Sequence, residues 1–203
     1  MSSKVKKPAE IELGKCKENK DRKKRIGVKQ NMNNKFKILS KELDKHAFDQ
    51  PLLDKSAGKI SNALKILLTT DGSVTDALEA VYGKICVKAV SREMYGLSSV
   101  CFKYGFQEKA LIVREAEMSF KTKVLVRASS FIALNLMPKK VVKDLMSGKL
   151  PIGKIIKKHK LETRREILSI KYDKQNKCFN RTYKIIFGRK PVILINESFA
   201  TDI

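Results

Sequence analysis

The chain has 203 residues, 42% of them hydrophobic, and carries 44 Lys and Arg against 21 Asp and Glu, a net charge of +23. That length and apolar content support one buried core, and no apolar run approaches the ~20 residues of a membrane-spanning helix. Four scattered cysteines (Cys16, Cys86, Cys101, Cys178) with no CxxC, and only His46 and His159, argue against a disulfide framework and against a metal site.

Residues 1–35 hold 12 Lys and Arg against 4 Asp and Glu, with few apolar positions. They are expected to form a basic, disordered tail. Lys4, Lys6 and Lys7 are not followed by the apolar stretch of a signal peptide, so a cytoplasmic protein is expected. Hydrophobic patterning begins near Phe36, which places a single domain over 36–203. Within it Ile60–Leu68 has the spacing of an amphipathic helix. A second helix should start near Val74, because Asp71-Gly72 breaks the chain, Ser73 and Asp76 form a variant capping box, and Gly83 suits a helix end. Ile85–Val90 has strand character, as do 110–120 and 123–134. Pro138–Ser147 should be a short helix, with Gly148 just past its end. The turn at Leu150-Pro151 leads into another short helix, and Leu161–Tyr172 is the next strand. The chain closes on a hairpin, two β-rich runs flanking Gly188 and Pro191. Neighbouring strands with helices set apart indicate an α+β fold with a mainly antiparallel sheet.

Two charges stand on the wrong face of their strands. Side chains alternate along a strand, so Glu197 is in phase with Ile193, Ile195 and Phe199. A carboxylate on that face costs several kcal/mol unless it finds a partner or shifts its protonation. Arg114 is in phase with Ile112, Ala116, Met118 and Phe120, whereas Glu115 and Glu117 point to the opposite, wetter face. A buried guanidinium needs an anion. Either Arg114 and Glu197 pair with each other, or Arg114 awaits the carboxylate of a ligand, which its planar fork matches. Val74 and Ile152 fall at helix starts, where free backbone N–H groups favour anions.

Four segments then occur in a telling order: Lys65-Ile-Leu-Leu-Thr-Thr-Asp-Gly-Ser-Val-Thr-Asp-Ala-Leu-Glu79, Ile112-Val-Arg-Glu115, Leu150-Pro-Ile-Gly153 and Arg189-Lys-Pro-Val-Ile-Leu-Ile-Asn-Glu-Ser-Phe199. Together they resemble the chorismate lyase (chorismate pyruvate-lyase) superfamily over roughly residues 55–200, most closely its archaeal and actinobacterial branch. The resemblance implies an antiparallel sheet of about six strands, with helices covering a buried ligand cavity. It implies conversion of chorismate to 4-hydroxybenzoate and pyruvate, with no cofactor and no metal. It maps catalytic roles onto Arg114 and Glu197, and substrate contacts onto Val74, Arg114, Ile152 and Glu197. Val74 stands where the family commonly has methionine, and Ile152 where it has leucine. Both departures are tolerable if the backbone amides make the contacts.

Two other functions stay open at this point. The same fold serves as a small-ligand sensor in bacterial transcription regulators, but residues 1–35 are too short and polar for a winged helix. The basic charge attracts nucleic acid. No RNP motif, helix-turn-helix or zinc-finger spacing supports that partner, and a Lys-rich composition alone produces the same charge.

Overall fold

The computed structural model of the chain describes residues 60–95, 103–107 and 110–203. The expected basic tail and the start of the domain at Phe36 lie outside the described residues. Helix α1 (Asn62–Thr69) opens on Ser61, whose hydroxyl accepts from the Leu64 amide and donates to the Ile203 carbonyl. Leu64, Leu67 and Leu68, at helical spacing, are its buried stripe. Helix α2 (Val74–Tyr82) is capped by Ser73, which accepts from the Asp76 amide, and ends at Gly83 with φ +80°. Only half of the expected capping box forms. The Asp76 carboxylate instead meets Lys157.

Six strands follow, β1 (Cys86–Tyr95), β2 (Ala110–Phe120), β3 (Lys123–Ala133), β4 (Thr163–Asp173), β5 (Cys178–Phe187) and β6 (Lys190–Ala200). They make one antiparallel sheet in the order β1-β2-β3-β6-β5-β4. Two consecutive three-stranded meanders are thus joined through β3 and β6. A 3-10 turn (Leu134–Leu136), α3 (Lys139–Ser147) and α4 (Ile152–Lys158) connect them. Strand β1 runs five residues past its expected end at Val90. The β5–β6 turn is Gly188-Arg189, with φ of +54° and +68°, the two left-handed positions of a tight hairpin turn. Pro191 is part of β6 rather than of the turn. It faces Ile186 where the register shifts, a place in a sheet that tolerates a missing N–H.

One face of the sheet carries all four helices. At one end α1 and α2 pack Leu64, Leu67, Leu68, Val74 and Leu78 on Met118, Val126, Phe179 and Phe199. At the other, α3 and α4 pack Val141, Leu145, Ile155 and Ile156 on Ile112, Ile132, Ile185 and Ile193. Gly148 ends α3 at φ +67°, pressed so close to β1 that a Cβ there would lie 2.5 Å from the Ala89 carbonyl oxygen. The opposite face is polar at the Glu117 end, as expected, but Leu111, Val113, Phe131 and Leu194 are buried there too.

Candidate functional site

Between the two helix pairs the sheet is polar. Register fixes this strip as two adjacent rungs. One runs Arg114, Ser130, Ile195, Tyr183 across β2, β3, β6 and β5, and the next runs Ala116, Ala128, Glu197, Arg181. Glu197 and Arg181 are therefore direct cross-strand partners. Arg114 and Glu197 are separated by β3, about 10 Å over two interstrand spacings.

The hydrogen bonds rule out one of the two arrangements considered for Arg114. It does not pair with Glu197. The partner of Glu197 is Arg181, whose Nε and Nη2 donate to Oε2 at 3.2 and 2.7 Å, while the Tyr183 hydroxyl donates to Oε1 at 3.1 Å. Arg181 and Glu197 are 1% and 3% exposed. Arg181 Nη1 also donates to the carbonyls of Leu67 (2.7 Å) and Thr70 (2.9 Å) at the end of α1. That end is the negative pole of the helix and favours a cation. The guanidinium lies 4.8 Å from the Tyr183 ring centre and 5.5 Å from that of Phe199, a geometry of cation–π attraction. Burial, and next the Glu197 charge, push the Tyr183 phenol above its ordinary range, so it stays a neutral donor.

Arg114 is 1% exposed. Its Nη2 donates to the Leu150 carbonyl at 2.6 Å and its buried Nε has no partner. Burial lowers its pKa to about 10. Arg165, on β4 opposite Ile185, is only half-buried but makes a similar pattern of contacts. Its Nη1 donates to the Asp71 carbonyl at 2.8 Å, and its buried Nε is also unpartnered. Each guanidinium thus holds the loop that precedes a helix start, Leu150 before α4 and Asp71 before α2.

Those elements line a partly open pocket of about 50 Å³, room for ~4 waters. Arg114, Arg165, Glu197, Val74 and Ile152 all line this cavity, over a floor of the small side chains Ala116, Ala128 and Ser130. The two helix starts touch there. A Cβ on Gly153 would lie 2.7 Å from the Ser73 hydroxyl oxygen. All four residues singled out from the sequence therefore converge on one cavity. Sequence reasoning missed Arg165, Arg181 and Tyr183. The signal for Arg181 was available, since it alternates in phase with Phe179, Tyr183 and Ile185 as Arg114 does on β2. With Glu197 neutralised by Arg181, Arg114 and Arg165 leave the cavity with two uncompensated positive charges. Among the described residues no cluster of His, Cys, Asp or Glu could hold a metal, and no helix is long and apolar enough to cross a membrane.

Fold and site define an α+β domain of one helix-covered sheet with a cationic cavity between its helix pairs. The family follows from sequence comparison: residues 68–203 match the model of the chorismate pyruvate-lyase Rv2949c-like family, and the chain belongs to that family. "Putative lyase MJ0807" of Methanocaldococcus jannaschii is 32% identical over 180 residues, 81% of this chain and 88% of that protein. A chorismate pyruvate-lyase of Mycobacterium leprae is 26% identical over 164 residues, 71% of this chain and 77% of that one. Among solved structures, the effector domain of PhnF from Mycobacterium smegmatis superposes with a TM-score of 0.48 at 9% identity, covering 64% of this chain and 90% of that one. A likeness at that level carries no argument about function.

Proposed function

We propose that this protein is a chorismate lyase, releasing pyruvate from chorismate to leave 4-hydroxybenzoate. The observation that carries the reading is the pair of uncompensated guanidiniums on a cavity whose carboxylate is already neutralised. A dicarboxylate cancels that charge, and membership of a chorismate pyruvate-lyase family supports chorismate as that dicarboxylate.

In this reading Arg114 takes the ring carboxylate, assisted by amides at the start of α2. Ala116, Ala128 and Ser130 make room for the ring. Glu197, across β3, accepts a hydrogen bond from the ring hydroxyl. Arg181 and Tyr183 position Glu197 and hold it in place as an acceptor. The ether C–O bond to the ring breaks, the hydrogen on the hydroxyl-bearing ring carbon leaves as a proton, and the enol methylene gains a proton to become the pyruvate methyl. Atoms and electrons balance without oxidant, reductant or water. Aromatisation drives the step, so the protein's task is to bind, orient and exclude water.

The test is incubation of the purified protein with chorismate, with 4-hydroxybenzoate measured by absorbance and pyruvate by a lactate dehydrogenase couple. Both products should form in equal amounts. Glu197→Gln and Arg114→Ala should each lower kcat/KM by about 10²–10³, the usual loss for one transition-state or charged contact. Absence of both products, or near-wild-type turnover in both variants, would sink the assignment.

A further inference from the structure

We propose that Arg165 is a second anion-binding residue of this cavity and takes the carboxylate of the leaving group. The inference rests on the lyase reading for the identity of that carboxylate, but not for the existence of the subsite.

Arg165 lines the cavity and keeps a buried Nε without a partner. Its Nη1 is spent on the Asp71 carbonyl, which fixes the guanidinium plane and leaves the remaining edge for a ligand. Arg114 is arranged alike at the other side, with one nitrogen on the Leu150 carbonyl and Nε free. The two arginines stand on β2 and β4 with β3, β6 and β5 between them. Four interstrand spacings put their backbones about 19 Å apart. Two long side chains reaching inward from opposite sides present their forks to opposite ends of one ligand. Between them lie Glu197, which suits a neutral hydroxyl, and the apolar Ile185 and Ile195. Such a site selects a molecule with two separated carboxylates and a hydroxylated ring, and rejects a monocarboxylate at the Arg165 end. A buried N–H without a partner is costly unless an acceptor completes it, and each arginine points one such Nε at the cavity, so both ends favour occupancy by an anion. With the ring carboxylate on Arg114, the carboxylate left for Arg165 belongs to the side chain that departs as pyruvate.

The experiment uses the full chain as wild type, Arg165→Ala, Arg165→Lys and Arg114→Ala. Chorismate turnover is measured at steady state. Binding of chorismate and of 4-hydroxybenzoate, which lacks the second carboxylate, is measured by titration calorimetry. Loss of a charged bidentate contact predicts that Arg165→Ala raises KM for chorismate about thirtyfold while raising the 4-hydroxybenzoate Kd several times less, through the released Asp71 loop alone. Arg165→Lys keeps the charge without the fork and should fall between. Arg114→Ala should weaken both ligands. Retained 4-hydroxybenzoate binding shows that an Arg165 variant is folded with the Arg114 end of its cavity intact. Equal weakening of both ligands in Arg165→Ala, or no weakening of chorismate, would overturn the inference while leaving lyase activity untouched. A wild type that binds chorismate in an Arg165-dependent way yet releases no pyruvate would support the subsite and defeat the lyase reading. Failure of the wild type to bind either ligand would overturn both.

Discussion

Arg181→Met keeps a long unbranched side chain but removes both donors that Arg181 presents to Glu197. In the native protein two guanidinium nitrogens hold one carboxylate oxygen, at 2.7 and 3.2 Å, and the third satisfies carbonyls at the end of α1. The paired side chains are 1% and 5% exposed, so solvent screening does not soften the loss. Removing one partner of a buried ion pair costs about 3–5 kcal/mol, because the other charge stays behind unpaired. The Tyr183 hydroxyl still donates to Oε1, which favours the lower half of that range. The stranded Leu67 and Thr70 carbonyls, at ~1–3 kcal/mol for a buried unsatisfied group, push it back up. Such a loss is a large share of the ~5–15 kcal/mol stability of an ordinary domain. The double variant Arg181→Met/Glu197→Gln removes the orphaned charge and should recover about 2 kcal/mol of the loss. Urea denaturation followed by circular dichroism supplies both numbers from the midpoints, provided the slopes agree. A cost below about 1 kcal/mol for Arg181→Met, or a double variant no more stable than the single one, would refute the claim that Arg181 compensates Glu197.

Three further outcomes are expected. Burial lowers the Arg114 pKa to about 10, well below that of a free guanidinium; the burial cost is therefore fully present below pH 10 and relieved as pH rises above it, so this group's contribution to stability increases with pH there. Benzoate affinity should run the opposite way, flat from pH 7 to 9 and falling above 10, with Arg114→Met weak and flat throughout; a wild-type profile unchanged to pH 11 would contradict it. Gly148→Ala and Gly188→Ala both place a side chain at positive φ, at ~1 kcal/mol each, but only at Gly148 would the Cβ strike a backbone oxygen; Gly148→Ala should therefore have a thermal midpoint several degrees below that of Gly188→Ala, and equal midpoints would argue against the tight α3–β1 approach. Gly153→Ala should drive the Ser73 hydroxyl off the Asp76 amide, costing about 0.5–2 kcal/mol as a lost cap and weakening ligand binding; unchanged stability and affinity would mean that the two helix starts do not meet as described.

Much of this architecture was legible because its signals are local. Period-two alternation located the strands, Ser73 and Gly83 bounded α2, and Pro138 and Gly148 bracketed α3. The same alternation marked Glu197 and Arg114 as misplaced charges, since a single ionised residue among Ile193, Ile195 and Phe199 needs no partner to be conspicuous. Arg165 was harder to read. It sits in a run of charges, Glu162-Thr-Arg-Arg-Glu166, where nothing local separates the arginine that faces the cavity from exposed Arg164 beside it.

The sequence by itself determined which side chains lie on the apolar face and where the helices start, because both follow from backbone geometry over a few residues. Tertiary structure alone decided the pairing. Strand order inserts β3 between Arg114 and Glu197 and brings β5 beside β6 in a register that sets Arg181 opposite the acid. Charges four strands apart cannot be assigned to one cavity from chain position. The sheet's connectivity, two meanders joined edge to edge, is what places Arg114 and Arg165 on opposite sides of the same cavity.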